Sequence, residues 1–246
     1  MIDGGLDAFD QYFEIAAATE DADIERAMAL RYQVYCVEHS YEDPNSHCDG
    51  REHDEFDERA IHSLLMHRKT GAVAATVRLI LTDQMDPRKP LPIERYCEID
   101  REAWKYRLAN YERRQIAEIS RFAVSKQFRR RVGEAETTHG VVEPNHLRRV
   151  QEERRALPQI TLGLFQAIVR MSSEHDIKMW FAVMEPTLLR LLKRFGIHFV
   201  AVGRAIDYHG VRLPCMGPVD EVMEGIRNHC PQVWDFITCK GQHWPY

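Results

Sequence analysis

The sequence predicts an α/β fold in which a mixed central sheet carries helices on both faces. Apolar residues recur at strand spacing in residues 115–124 and 178–184, and at helical spacing in residues 158–173. A strand, a helix and a second strand in this order require a parallel pair joined by a right-handed crossover. Hairpin signals before and after this unit add antiparallel strands, so the predicted sheet is mixed.

A strand, a helix, a long loop and a hairpin precede the crossover. The polar loop contains Pro44 and Gly50, and a loop of such length in a compact domain usually serves function. A turn at Lys69-Thr70-Gly71 joins the two strands of the hairpin. The predicted bounds are residues 11–17 for the strand, 24–35 for the helix, 37–59 for the loop, and 61–66 and 72–81 for the hairpin strands.

A helix, a second hairpin and a last helix follow the crossover. Glu185-Pro186 begins the first of these helices, because proline is tolerated in a first turn, and Gly196 ends it. The hairpin turns at His209-Gly210. Its predicted strands are residues 199–207 and 211–216, and the last helix covers residues 219–237.

Length and composition indicate one domain over residues 1–246, since 246 residues that are 44% hydrophobic can bury one sizeable core. Charge is uneven along the chain. Residues 1–60 form an acidic lobe with 4 Lys and Arg against 17 Asp and Glu, whereas residues 126–157 form a basic insertion. Residues 218–240 would be a C-terminal helix. No continuous basic strip with interleaved aromatics is present, which argues against nucleic acid, while an acidic partner remains possible on the basic side.

The expected compartment is the cytoplasm, and no stable membrane insertion is expected. No apolar run approaches the roughly 18 residues that span a bilayer. The six cysteines include no CxxC pair, and we expect them to be reduced thiols. His39, His47, Cys48 and His53 share one loop, but their spacing matches no zinc pattern, so no metal site is predicted.

Polar residues interrupt the central strand at Glu118, Ser120 and Arg121, just before Phe122. A carboxylate in a buried strand lowers stability unless it is paired with a partner, so it is retained where it is paired or has a function. Two interpretations remain open: a structural network between Glu118 and Arg121, or a functional site.

A second candidate motif follows that strand. Residues 130–135 resemble a loose acetyltransferase pattern: Arg or Gln, two residues, Gly, one residue, and Gly or Ala. In acetyltransferases the backbone N–H groups of this pattern bind pyrophosphate or pantetheine phosphate. Arg130, Arg131 and Gly133 are therefore candidates for binding the phosphopantetheine of a thioester donor. Alternatively, Gly133 is a plain turn glycine.

The charged residues also match a known family in order and approximate spacing. Arg31, then Asp54-x-x-Asp57, then Arg78, then Glu118-x-Ser120-Arg121-Phe122 resembles the signature of the acyl-homoserine-lactone synthases. The second half, with Leu162-Gly163-Leu164-Phe165, the stretch 181–192, Tyr208-His209-Gly210 and Pro214-Cys215, resembles the exosortase-associated acyltransferases of the PEP-CTERM system. These are relatives of the autoinducer synthases and of the N-acyl amino acid synthases.

The resemblance implies a three-layer fold of the acetyltransferase (GNAT) type, in which a thioester lies in a gap between splayed parallel strands and its acyl chain enters an apolar tunnel. It implies that Glu118 is the general base and that Ser120 and Arg121 shape the site. Arg31, Asp54, Asp57 and Arg78 would form an ion-paired cluster over the acceptor. Residues on the two strands beside the gap would contact substrate: Phe122, Ala123, Val124, Trp180, Ala182 and Met184.

The chemistry fits these residue types. An amine attacks a thioester only when it is neutral, so a positioned base such as Glu118 is useful, and burial raises the pKa of a carboxyl toward the working range. Backbone N–H groups near Phe122 and Ala123 would bind the carbonyl oxygen if the strand bulges there. No Gly-x-Ser-x-Gly motif is present and no Cys has an obvious His partner, which favours direct transfer.

The implied co-substrate is acyl-ACP or acyl-CoA, with no tightly bound cofactor and a small amine acceptor. Arg129 to Arg131, with Arg148, Arg149, Arg154 and Arg155, could dock an acyl carrier protein; alternatively Glu152 and Glu153 pair with them in a solvated helix. Two rival functions remain open. One is an autoinducer synthase that uses S-adenosylmethionine, for which only Tyr35 and Tyr41 remain of the usual N-terminal aromatics. The other is a sensor that binds acyl groups without turnover.

Overall fold

The structure, a computed structural model, describes residues 6, 9–100, 105, 107–129, 156–207 and 210–244. The chain divides into two compact units. The first comprises Met1–Glu52, Ser63–Thr76 and Ala123–Phe165, and the second comprises His53–His62, Val77–Phe122 and Gln166–Tyr246.

Within the described residues, eight strands form a mixed sheet, so the predicted α/β fold class is confirmed. They are β1 (Phe13–Ala18), β2 (Ala60–His67), β3 (Ala72–Leu81), β4 (Ile116–Val124), β5 (Met179–Met184), β6 (Val200–Ala201), β7 (Ile206–Asp207) and β8 (Val211–Pro218). The strand order is β1-β2-β3-β4-β5-β8-β6, and β7 pairs with β8. As the crossover predicts, β4 and β5 are parallel, while β8 is antiparallel to β5, β6 and β7.

Eight α-helices lie within the described residues. They are α1 (Phe9–Tyr12), α2 (Asp21–Tyr32), α3 (Pro92–Tyr96), α4 (Lys126–Arg129), α5 (Ala156–Glu174), α6 (Pro186–Lys193), α7 (Val219–His229) and α8 (Pro231–Ile237). A π-helix (Gln33–Glu38) continues α2, and 3-10 helices occupy Pro44–His47, Glu55–Arg59 and Arg113–Gln115. Within these ranges, no helix is both long enough and apolar enough to cross a bilayer.

The first unit is held together by small apolar clusters and one buried ion pair. Ala27 on α2 packs against Leu64 of β2. Arg31, one turn further along α2, donates from Nε to Oε2 of Glu52 at 2.6 Å, and the two side chains are 0% and 1% exposed. A buried charge is tolerated only with such a partner.

The second unit is built around β5, whose six residues Met-Trp-Phe-Ala-Val-Met are nearly all buried. A continuous apolar run is typical of a strand that is covered on both faces. Side chains alternate along it, so Phe181 faces the cluster that contains Ile93 of α3. Trp180 faces the other way, and its indole N–H donates to the Ser172 hydroxyl of α5 at 2.8 Å. Helices therefore cover both faces of β5.

The parallel strands pair only over part of their length. The ladder runs from Ile116 opposite Met179 to Ile119 opposite Ala182. Beyond that pair, β4 continues to Val124 and β5 to Met184. The ladder between the two strands therefore ends at Ile119, before either strand ends.

Two predicted elements differ from the structure. The strand over residues 199–207 is two short strands, because Gly203 approaches the backbone so closely that a Cβ there would lie 2.2 Å from the carbonyl oxygen of Glu98. The single C-terminal helix over residues 219–237, or 218–240 at its widest, is α7 followed by α8. Pro231 cannot continue the first helix, since it has no N–H and disfavours helical backbone at Cys230, whose φ is −146° and ψ is 78°.

Candidate functional site

Arg78 on β3 is the centre of a cluster of charged side chains in the second unit, and its own side chain is 1% exposed. Nη1 donates to Oδ1 of Asp54 and to Oδ1 of Asp57, both at 2.7 Å, and Nη2 donates to Oδ2 of Asp54 at 2.9 Å. Two-pronged binding of a carboxylate is a strong and directional contact for arginine. Nη2 also donates to the Ser120 hydroxyl at 3.2 Å, so the cluster includes a side chain of β4.

The turn that carries the two aspartates also orients them. Asp54 is the N-cap of the 3-10 helix Glu55–Arg59, and its Oδ1 accepts the N–H of Phe56 at 2.9 Å. Oδ2 of Asp57 accepts the N–H of Asp54 at 2.8 Å. The Asp-x-x-Asp spacing therefore forms a capping box, which leaves Oδ1 of Asp57 to bind Arg78. His62 on β2 places Nε2 at 3.5 Å from that same oxygen.

Asp54 remains ionised at neutral pH. Burial would raise its pKa, but the hydrogen bond from Arg78 and the positive charges of Arg78 and Arg121 outweigh burial and hold the pKa below its ordinary value. Asp57 adds a smaller opposing effect. The cluster therefore contains a stable negative charge held between two arginines.

Arg121 connects the cluster to an unusual backbone conformation. Its φ is 49°, in the left-handed region, although it lies inside β4. For a residue with a side chain this conformation costs roughly 1–2 kcal/mol, and a left-handed residue within a strand is found in one type of β-bulge. Nη2 of Arg121 donates to Oδ2 of Asp54 at 3.1 Å, which helps to hold the residue in place.

Glu118 is buried in the apolar core of the second unit, with 3% exposure. Its Oε2 accepts the N–H of Ile93, in the first turn of α3, at 2.8 Å. Burial raises the pKa of Glu118 to about 8, although the Ile93 N–H and the positive charge of Arg78 act in the opposite direction. A carboxyl with such a pKa changes its charge close to neutral pH.

Glu118 also lies next to the point where the ladder between β4 and β5 ends. It pairs with Phe181, one position before the last pair of the ladder. The strand alternation places its side chain on the same face as Phe181, in contact with the cluster that includes Ile93. Trp180, Ala182 and Met184 therefore lie on the opposite face.

The opposite face is closely packed around Trp180, which is 0% exposed. Besides its hydrogen bond to Ser172, the indole stacks on Phe199 with ring centroids 6.2 Å apart. Ala182 and Met184 are also buried. Glu118 and these three residues therefore belong to opposite faces of one strand pair.

The remaining candidates divide between the units. Arg31 lies in the first unit, where it pairs with Glu52, so its place in the predicted four-residue cluster stays a prediction. On β4, Phe122 is half-buried, whereas Ala123 and Val124 are buried, and Ala123 packs against Leu30 and Val34. Outside the described residues lie Arg130, Arg131 and Gly133, most of the basic insertion 126–157 with its other arginines, and the predicted turn residues 208–209.

Sequence reasoning missed three groups. Glu52 is one of many carboxylates in an acidic stretch, and nothing in the sequence distinguishes it. The Ile93 N–H is a backbone donor and has no side-chain signature. His62 could have been found, because a histidine interrupts an otherwise apolar alternation in a predicted strand.

Comparison with known proteins agrees with this architecture. Residues 30–138 match the model of the acetyltransferase (GNAT) domain. A search of curated proteins finds no match. Among solved structures, an N-acyl amino acid synthase from uncultured soil microbes, FeeM, superposes with a TM-score of 0.53 at 14% identity, covering 87% of this chain and 93% of its own.

Two acyl-homoserine-lactone synthases have the same fold. The CoA-dependent synthase BjaI, solved with S-adenosylmethionine and isopentyl-CoA, gives a TM-score of 0.54 at 15% identity, covering 90% of this chain and 89% of its own. The synthase LasI superposes with a TM-score of 0.52 at 16% identity, covering 83% of this chain and 88% of its own.

The domain match and the similar structures agree on the fold. The chain has the fold of the GNAT-type acyltransferases, and residues 30–138 carry the match to their domain model. It is structurally similar to acyl-homoserine-lactone synthases and to an N-acyl amino acid synthase.

Proposed function

We propose that the chain is an N-acyltransferase that moves a long acyl chain from the thioester of an acyl carrier protein, or of coenzyme A, to an amine acceptor such as an amino acid. One observation carries the proposal: Glu118 is a buried carboxyl with a pKa of about 8, and it lies one residue before the parallel strands stop pairing. A base whose pKa lies near the working pH is the most effective proton acceptor.

In the proposed reaction, the amine nitrogen attacks the thioester carbonyl carbon and the carbon–sulfur bond breaks. The proton on nitrogen passes to ionised Glu118, directly or through a water molecule, and the leaving thiolate takes a proton from solvent. Backbone N–H groups of β4 beside Arg121, near Phe122 and Ala123, stabilise the carbonyl oxygen, where the left-handed residue redirects the strand. Ser120 and Arg121 shape the site.

The faces of the strand pair suggest how two substrates are separated. In this proposal the acyl chain is admitted on the face of Trp180, Ala182 and Met184 by a repacking of these buried side chains, and the acceptor lies on the face of Glu118. The two would meet where the ladder between β4 and β5 ends. Arg31, with the cluster of Arg78, Asp54 and Asp57, belongs to the acceptor side of this proposal.

The finer assignments form part of the same proposal. Arg130, Arg131 and Gly133 bind the phosphopantetheine arm, and the basic insertion 126–157 docks an acidic acyl carrier protein. The six free cysteines fit a reducing cytoplasm. The resemblance of the second half of the chain supports a place beside the exosortase-associated acyltransferases, and its similarity to FeeM supports an amino acid as the acceptor.

The test is thiol release from several acyl-CoA and acyl-ACP donors in the presence of a panel of amines, with products identified by mass spectrometry. We expect acceptor-dependent release, and we expect Glu118→Gln to lower the rate by roughly 10²–10⁴-fold. Glu174→Gln is the matched control, because Glu174 is 55% exposed on α5 and should leave the rate unchanged. An absence of amine-dependent release with every donor would refute the function. Unchanged ligand binding and phenotype in Glu118→Gln would favour the sensor.

A second candidate is an acyl-homoserine-lactone synthase that uses S-adenosylmethionine. It is favoured by the similarity to BjaI, which was solved with S-adenosylmethionine and isopentyl-CoA. Release of methylthioadenosine together with a lactone product would establish it. Inertness toward S-adenosylmethionine, with turnover of another amine, would exclude it.

A further inference from the structure

The hydrogen bond to Glu118 depends on the short segment that leads into α3. Its donor, the N–H of Ile93, follows the N-cap Leu91 and Pro92 at the first helical position. Oε2 of Glu94 accepts the Leu91 N–H at 2.7 Å, which closes the first turn on itself. This five-residue helix is too short to be stable alone, so its position depends on contacts from outside it.

Arg59 supplies such contacts from another element. Its guanidinium donates to the carbonyl of Pro90, directly before α3, and to the carbonyl of Leu81, at the end of β3, at 3.3 Å. The same group lies 5.5 Å above the ring centroid of Phe56. One side chain therefore connects the 3-10 helix Glu55–Arg59, the end of β3 and the start of α3.

The placement of Arg59 also carries an energetic cost. Its Nε is buried and makes no hydrogen bond within the described part of the chain, and burial lowers the pKa of its guanidinium. An unpaired buried donor is uncommon in native proteins and calls for a reason. A requirement for the planar, two-armed guanidinium at this position would be such a reason.

We propose that Arg59 is a positioning residue for Glu118: by holding the Pro90 carbonyl, it keeps the N–H of Ile93 aimed at the Glu118 carboxyl. This inference rests on the proposed role of Glu118 as general base. Arg113 holds the other side of the same loop, through Glu94 and the carbonyls of Pro87 and Lys89.

The sign of the expected effect follows from the hydrogen bond. A donor to a carboxylate favours the ionised form, so loosening the Pro90–Ile93 segment raises the pKa of Glu118 and lowers the fraction of base at neutral pH. The charged or titratable groups that act on Glu118 from the surrounding elements are Arg59, Arg78, Glu94, Cys97 and Arg121.

Two substitutions distinguish the hydrogen-bonding geometry of Arg59 from its positive charge. Arg59→Lys keeps the positive charge but cannot bind the Pro90 and Leu81 carbonyls with one planar group, whereas Arg59→Met removes both properties. The matched control is Arg95→Met. Arg95 also pairs with the Glu55–Arg59 helix, through Glu55 at 2.7 Å, and lies 5.3 Å above the Tyr96 ring.

The measurement is the titration of Glu118 by carbon-13 NMR of the labelled carboxyl, together with kcat/KM against pH for one donor and one amine. For Arg59→Lys and Arg59→Met we expect the Glu118 pKa to rise by about one unit, which corresponds to about tenfold less base, and less rate, at pH 7. The deficit should shrink as pH rises. Arg95→Met should match the wild type.

Three outcomes would overturn the proposal: an unmoved Glu118 titration in Arg59→Lys, a rate loss of the same size at every pH, or a shift in Arg59→Met that Arg59→Lys does not share. If Arg59→Met fails to fold, Arg59→Lys decides the question. A wild type that never turns over refutes the proposed function, but the NMR titration still tests the positioning role separately.

Discussion

Replacement of Glu118 by glutamine keeps the shape of the side chain and its acceptor for the Ile93 N–H, and removes only its ionisation. The pKa of Glu118 is raised from an ordinary 4.5 to about 8, chiefly by burial. At 1.36 kcal/mol per pKa unit, ionisation of this carboxyl inside the folded protein costs about 5 kcal/mol as an upper limit. Relaxation and water entry into the core reduce that value to a few kcal/mol.

The pH dependence of this cost has a definite sign. Below pH 4.5 the carboxyl is protonated in both the folded and the unfolded chain, so the wild type has its full stability there. As pH rises toward 8, the unfolded chain has already released the proton that the folded chain still holds, and stability is lost. A glutamine at this position does not titrate. The unfolding free energy of Glu118→Gln minus that of the wild type should therefore grow by a few kcal/mol between pH 5 and 9.

Urea unfolding at each pH, followed by circular dichroism and fluorescence, measures this difference. Glu174→Gln serves again as the control and should give a difference that is flat with pH, since its carboxyl is 55% exposed. A flat profile for Glu118→Gln, or one that falls with rising pH, would refute the assignment of Glu118 as a buried neutral acid. If this stability difference rises with pH while Glu118→Gln loses turnover, Glu118 lowers the stability of the wild type and is required for its activity.

Three further experiments test the cluster and the core. Arg121→Gly and Arg121→Ala both remove the ion pair with Asp54, but only alanine keeps a Cβ at a φ of 49°. In urea unfolding the glycine variant should therefore be about 1 kcal/mol more stable than the alanine variant. Equal stabilities would show that the backbone at this position is not strained. Asp54→Asn should cost about 3 kcal/mol at pH 7, because Arg78 stays buried with one carboxylate fewer. Since the pKa of Asp54 is lowered, this deficit should shrink as pH falls below about 4. A double-mutant cycle of Trp180→Phe and Ser172→Ala should give a coupling of about 1 kcal/mol, whereas additive losses would show that their hydrogen bond contributes nothing.

The sequence predicted the central part of the fold well because those elements carry strong local signals. The apolar run of β5 and the helical periodicity of α5 are long, and both survive in the structure with bounds shifted by a residue or two. The turn at Asp54-x-x-Asp57 could also have been predicted from the sequence, because a capping box is a local motif whose geometry depends on four consecutive residues.

Other features depend on contacts that no local pattern records. The π-helix Gln33–Glu38 continues α2, whereas the periodicity of the sequence predicts only a regular α-helix there. The break between α7 and α8 could have been predicted from Pro231, whereas the break at Gly203 depends on a carbonyl more than 100 residues earlier in the chain. The Ile93 N–H likewise reaches Glu118 only through tertiary structure, so the sequence pointed to Glu118 but not to the backbone group that acts on its pKa.

The charge balance of the cluster explains why Glu118 stays protonated beside two arginines. Arg78 and Arg121 bring two positive charges, but Asp54 and Asp57 bind them at 2.7–3.1 Å, so their combined field at Glu118 is small and burial dominates its pKa. Asp54→Asn would leave one positive charge unbalanced and should lower the pKa of Glu118. Arg59→Lys should raise it. A carbon-13 titration in which both variants moved the pKa in the same direction would show that the cluster and the α3 turn do not act on Glu118 in these separate ways.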